Sequence, residues 1–150
     1  MANSFIFMNI HYVFSTRDRE KLIDKELQKQ LWPYIGSIAK QNSMVAYAVG
    51  GTEDHVHILL SLPGSISTAK AIQLIKAGSS KWIHDTFPDK SGFAWQTGYA
   101  AYSVSKSNRE KVVQYILEQE EHHQKATFQQ EYLSFLNKSG INYDERYVWG

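Results

Sequence analysis

The sequence predicts an α+β domain: a four-stranded antiparallel sheet with helices on one face and additional helices toward the C-terminal end. Three observations carry this. Four short runs alternate in apolar and polar residues with a period of two, as strands do. Two longer segments with helical spacing fall after the first and third of these runs. After the fourth run come two matches to the S/T-x-x-E/Q capping box, each opening a further helix.

Residues 5–15 read as the first strand, with Phe5, Phe7, Asn9, His11, Val13 and Ser15 alternating with Ile6, Met8, Ile10, Tyr12 and Phe14. A charged loop, 16–21, follows. Asp24 is placed to cap a helix over 25–41, with Leu27, Leu31, Tyr34, Ile35 and Ile38 at helical spacing. Pro33 inside it predicts a kink or short break. Residues 43–49 form a second strand, 50–54 a turn containing two glycines, and 55–62 a third strand, which together read as a hairpin. Residues 67–86 form the second helix, with Ile72, Ile75, Trp82 and Ile83 on its apolar side. The fourth strand spans 98–106. Ser107-Asn108-Arg109-Glu110 predicts a third helix to about 123, and Thr127-Phe128-Gln129-Gln130 a last one to about 137. The tail from Gly140 keeps large apolar residues and is expected to pack. Strand, helix, strand, strand, helix, strand is the split βαβ, ferredoxin-like order. The second sheet face is left for a partner, an additional helix or a substrate.

At 150 residues the chain suits one domain, 1–150, with a single core. An apolar content of 43% argues against wholesale disorder. The chain has no cysteine, which excludes disulfides, thiolate metal sites and cysteine nucleophiles. No apolar run approaches membrane-spanning length, and the first residues carry no basic leader. A cytoplasmic protein without a membrane partner is expected. The net charge of +1 disfavours an extensive duplex-DNA surface but allows a local patch.

Positions i and i+2 of a strand share a face. His55 and His57 therefore project together, while Val56 and Ile58 turn to the core. Paired imidazoles can chelate a divalent cation; alone, the pair also fits two polar residues on a solvated face. Positions i and i+4 of a helix share a face, so Tyr115 and Gln119 lie one above the other, with His122 at i+7. Val112, Val113, Ile116 and Leu117 form the adjacent apolar stripe. Taken alone, this helix carries a boundary tyrosine and an exposed glutamine. Together with the histidines the set becomes a phosphodiester-cleaving site. A metal held by two imidazoles and a neutral amide stays fully cationic and keeps positions open for phosphate oxygens. A phenol with pKa about 10 is mostly protonated at neutral pH and needs such help to act as a nucleophile.

Residues 50–59, Gly-Gly-Thr-Glu-Asp-His-Val-His-Ile-Leu, resemble the histidine–hydrophobe–histidine segment of the IS200/IS605-like single-tyrosine transposases. Residues 115–123 resemble their tyrosine helix, 95–105 the segment between, and 77–83 their second helix. The resemblance covers nearly the whole chain. It implies that Tyr115 attacks a single-stranded DNA phosphodiester, keeps the 5′ phosphate as a phosphotyrosine and releases a 3′ hydroxyl. It implies Mg2+ or Mn2+ on His55, His57 and Gln119. It implies DNA ends that are imperfect hairpins. It also implies a homodimer, in several members with the tyrosine helix of one subunit completing the other's site. Members domesticated to process chromosomal repeats share the same motifs.

Other residues carry less. Asp54 is either a turn residue or an acceptor that orients a histidine. His11 could join the polar face but fits a structural role better. Lys70 and Lys81 lie opposite the apolar stripe of the second helix, where solvated lysines are the rule. His122 and His123 could contact DNA or simply end a helix favourably. The competing reading is a non-catalytic nucleic-acid-binding protein, on the same fold, that recognises hairpin repeats. A phosphoesterase with two His-x-Ser/Thr motifs ranks last, because only one His-x-His occurs.

Overall fold

The computed structural model describes residues 3–123 and 126–150. Four antiparallel strands, β1 (Asn9–Ser15), β2 (Val45–Gly51), β3 (His55–Ser61) and β4 (Ala100–Val104), lie in the order β2-β3-β1-β4. Helices α1 (Lys25–Gln41) and α2 (Thr68–Thr86) cover one face. Helices α3 (Arg109–Leu117), α4 (Gln119–His123) and α5 (Phe128–Lys138) carry the C-terminal part of the chain over the other. The face left unassigned by the sequence is thus taken by the chain's own additional helices.

The first face is an ordinary apolar core. Tyr12, Phe14, Val56, Ile58 and Leu60 meet Leu27, Leu31 and Ile35 of α1 and Ile72, Ile75 and Ile83 of α2. Both helices start where the sequence places a cap. The Asp24 side chain accepts from Leu27 N at 2.8 Å, and Ser67 from Lys70 N at 3.0 Å. α1 runs through Pro33 as one helix, against the expected break. Pro33 is exposed, and buried apolar residues before and after it hold both halves to the sheet.

Three boundaries depart from the sequence reading for identifiable reasons. β1 begins at Asn9, not Phe5, because Asn9 already pairs with the last residue of β3 and the last of β4. Phe5 to Met8 have no strand to join and stay exposed. Gly50 and Gly51 belong to β2 instead of the turn, pairing with His57 and Val56. Gly50 is required by its neighbour: a Cβ there would stand 2.4 Å from the backbone oxygen of Ile116, so its absence lets α3 lie directly on the strand. The predicted third helix is two helices, with non-helical backbone at Glu118. The Ser107 capping box does not form either. A short 3-10 turn precedes α3, and its N-cap Asn108 makes no side-chain cap bond. The Thr127 box does form, reciprocally with Gln130.

The tail packs as expected. Tyr143, Val148 and Trp149 join Val13, Ala100, Phe128, Tyr132 and Leu136 beneath α5.

Candidate active site

The residues singled out in the sequence meet on the second face. β3 projects His55 and His57 toward α3–α5, and both are fully buried, not on an open face as expected. α3 brings Tyr115 over β3, with the Tyr115 and His57 ring centroids 5.6 Å apart. Gln119, at the start of α4, is buried rather than at the rim. Its amide nitrogen donates to Tyr115 O at 3.1 Å, so the i,i+4 pair survives the break at Glu118. Leu117, read as part of the apolar stripe, points outward instead; Ile116 alone is fully buried there. His122 stacks on Tyr115 at 4.5 Å.

Four donor atoms converge. His55 Nε2 lies 3.1 Å from Gln119 Oε1, and His57 Nε2 lies 2.9 Å from Glu131 Oε1. The ligating atoms of His55, His57 and Glu131 all fall within 4.8 Å of one another, a set that can hold one cation. The chemistry around His55 fits such an ion. Its Nδ1 faces Asp54 Oδ1 at 2.8 Å, and the proton belongs there. Nε2 then presents a lone pair to the oxygen of Gln119, whose orientation is fixed by its own N–H bond to Tyr115 O. Two acceptors facing each other at this distance require a proton or a metal cation between them.

Partners outside this set orient it. His11 Nε2 lies 2.8 Å from His57 Nδ1, so His11 joins the polar face after all. Burial and the neighbouring His57 push His11 down to about 3. Burial likewise pushes His57 down to about 4, against the hydrogen bond and charge of Glu131. Both rings are therefore neutral at pH 7. One arrangement has His11 donating to His57 Nδ1 and His57 Nε2–H donating to Glu131. A cation on His57 Nε2 needs the opposite tautomer, and a neutral His11 can accept as readily as it donates. Burial also resists ionisation of Asp54, but the hydrogen bonds from His55 and Thr52 and the neighbouring imidazoles of His55 and His123 together outweigh it and hold the carboxyl below its usual range. Asp54 is thus an orienting acceptor and not merely a turn residue.

Sequence reasoning missed Glu131 entirely and undervalued His123. Glu131 sits on α5, buried, with Tyr115 donating its hydroxyl to Oε2. Burial opposes its ionisation, yet hydrogen bonds from His123, His57 and Tyr115 hold the carboxyl well below the usual range. Burial and the same contact push the Tyr115 phenol far up. His123 Nε2 lies 3.2 Å from Gln119 Oε1 and 3.4 Å from Glu131 Oε1. A signal for Glu131 was present. It occupies the i+3 position of the stripe Phe128, Tyr132, Phe135 and Leu136, a charge on an otherwise apolar face. By contrast Lys81 is exposed and paired with Asp85, and Lys70 is exposed, as solvated lysines would be.

A cleft of about 280 Å3, lined by Tyr115, His122, Gln130, Glu131, Phe135 and Lys138, opens beside the tyrosine. A second, of about 470 Å3, borders Asp54 and His123 and carries Lys21 and Lys25.

The four-stranded antiparallel sheet thus presents a pair of histidines to a helix that carries a tyrosine. The chain belongs to the IS200-like transposase family, whose model matches residues 4–119. It is 23% identical over 114 residues to the ISDra2 transposase TnpA of Deinococcus radiodurans, a match covering 73% of this chain and 81% of that protein. Its fold is similar to that of a transposase candidate from Deinococcus radiodurans R1, with a TM-score of 0.63 and 23% identity over 77% of this chain and 94% of that one. It is also similar to the REP-associated tyrosine transposase bound to a REP hairpin, with a TM-score of 0.55 and 17% identity over 77% of this chain and 68% of that one. α5 lies beyond the residues matched by the family. Among the described residues no helix is long and apolar enough to cross a membrane.

Proposed function

We propose that this chain is a metal-dependent single-stranded DNA transposase, acting as one catalytic domain in the cytoplasm on ends marked by hairpins. The observation that carries this reading is the meeting of half-buried Tyr115 with buried His55, His57 and Gln119 in one cluster on family-matched residues. The Tyr115 oxygen attacks the phosphorus, the bond to the 3′ oxygen breaks, and a 5′-phosphotyrosine and a 3′ hydroxyl result. The phenolic proton lost by Tyr115 is balanced by the proton gained by the 3′ oxygen. Mg2+ or Mn2+ on His55, His57 and Gln119 would supply positive charge to the scissile phosphate. His11 and Asp54 hold the two imidazoles, and His122 holds the phenol ring by stacking. The cleft beside Tyr115, with Lys138 on its wall, offers a strand a route to the site.

The working unit in this reading is a homodimer. With the second sheet face covered, the edge strands β2 and β4 remain for its contact. Light scattering should then give twice the chain mass. Tyr115 lies beside its own chain's histidines here, so a shared site would require the helix to change partners.

The deciding test is incubation with single-stranded DNA from the flanks of its own gene and Mg2+. A covalent adduct should appear on a denaturing gel and vanish in Tyr115→Phe. Hairpin binding with no adduct in the wild type would select the non-catalytic or domesticated hairpin-binding alternative.

A further inference from the structure

Glu131 poses a problem that the reading above does not solve. It is a carboxylate with a side chain only 6% exposed, and its ion-pair partners among the described residues are His55, His57 and His123, with no lysine or arginine. An ionised carboxylate buried without a permanent cation is costly. Its two oxygens are also divided. Oε1 faces the histidine Nε2 atoms, at 2.9 Å from His57 and 3.8 Å from His55, while Oε2 takes the Tyr115 hydroxyl. A carboxylate whose oxygens point to two different partners has the geometry of a bridge.

We propose that Glu131 ties the two halves of the site together, with Oε1 as an anionic metal ligand beside His55, His57 and Gln119 and Oε2 as the anchor that positions the Tyr115 hydroxyl. The inference rests on the metal reading above and adds a residue from α5, outside the family-matched segment. It accounts for the burial, because the cation supplies the missing charge. It also lowers the net charge of a bound divalent ion by one, so the site gains metal affinity and gives up some pull on the phosphate. The carboxylate keeps the nucleophile next to the cation before any DNA arrives, which is preorganisation of the attacking atom.

Glu131→Gln tests this directly. The amide keeps the size of the side chain but replaces one oxygen with an N–H2 that only donates, so it cannot both face the cation and accept the Tyr115 O–H. Mn2+ titration by calorimetry should show affinity lowered at least about tenfold, the scale on which ligand-shell changes act. Adduct formation at saturating Mn2+ should stay at least about tenfold slow, because the tyrosine anchor is lost even when metal is restored. Tyr115→Phe should bind Mn2+ within about twofold of wild type. Glu131→Asp, which keeps the charge, should recover most of the Mn2+ affinity and serves if the glutamine variant does not fold. Mn2+ affinity unchanged in folded Glu131→Gln, or in Glu131→Ala if that is the variant that folds, would overturn the bridge and leave the rest of the site standing. A wild type that binds no Mn2+ would overturn the bridge together with the metal reading.

Discussion

The two faces of the sheet are buried to the same extent and are chemically opposite. On β1 and β3, Tyr12, Phe14, Val56, Ile58 and Leu60 are wholly buried toward α1 and α2. Between them His11, Ser15, His55 and His57, together with the apolar Val13 and Leu59, are no more than 2% exposed toward α3–α5. The first face is held by apolar area, which is tolerant of detail. The second sets, between two smaller apolar clusters, donors and acceptors that each need a partner at a set distance. Equal burial therefore means different things on the two faces: one face makes the fold, and the other spends stability on positioning.

Substitutions should separate the faces. The largest effect is expected at His57→Ala, which should remove Mn2+ binding while His11 and Glu131 lose a buried partner; calorimetric titration reads the first and denaturation the second. Ile58→Ala, its neighbour on the opposite face, should cost about 2–5 kcal/mol of stability in urea unfolding and leave the Mn2+ affinity of the folded fraction unchanged. Loss of metal affinity there would mean the faces are not independent.

Between pH 7 and pH 5 acid should act chiefly on the second face. His57 and His11 have folded pKa values of about 4 and 3, below the 6.5 of the free ring. Between those limits the unfolded chain binds protons that the folded one refuses. Stability is therefore full above pH 6.5 and falls as pH drops, on the order of 2 kcal/mol per ring by pH 5. Thermal melts of the His11→Gln variant should show a shallower decline between pH 7 and pH 5 than wild type. The smallest contrast lies between two caps. Thr127→Ala should cost about 1 kcal/mol, because its box holds the start of α5. Ser107→Ala, whose side chain meets only Ser105, should change chemical denaturation negligibly.

The first face was legible in the sequence because periodicity reports it. The stripe through Leu27, Leu31, Ile35 and Ile38 and the alternation through Val56 and Ile58 are statements about area, and area is what patterns encode. The proximity of the four motif residues was legible too: His55, His57, Tyr115 and Gln119 come together, though under the added helices and not on an open face. What escaped depends on long-range docking. Nothing local says that α3–α5 fold back to bury the histidines, that Glu118 breaks the tyrosine helix, or that Glu131 is buried against three imidazoles. His11 was weighed toward structure because a lone histidine on a strand names no partner, and its partner lies 46 residues away.

The hydrogen-bonded run His11–His57–Glu131 closes intervals of 46 and then 74 residues. Closing such loops costs entropy that only later contacts repay. In a chain emerging from the ribosome, all four strands with α1 and α2 can assemble before α5 has been made. A stage is thus open to the nascent protein in which its histidines are in place and its tyrosine lacks Glu131. Synthesis order therefore leaves the His57–Glu131 contact until α5 docks, after the strands that carry the histidines.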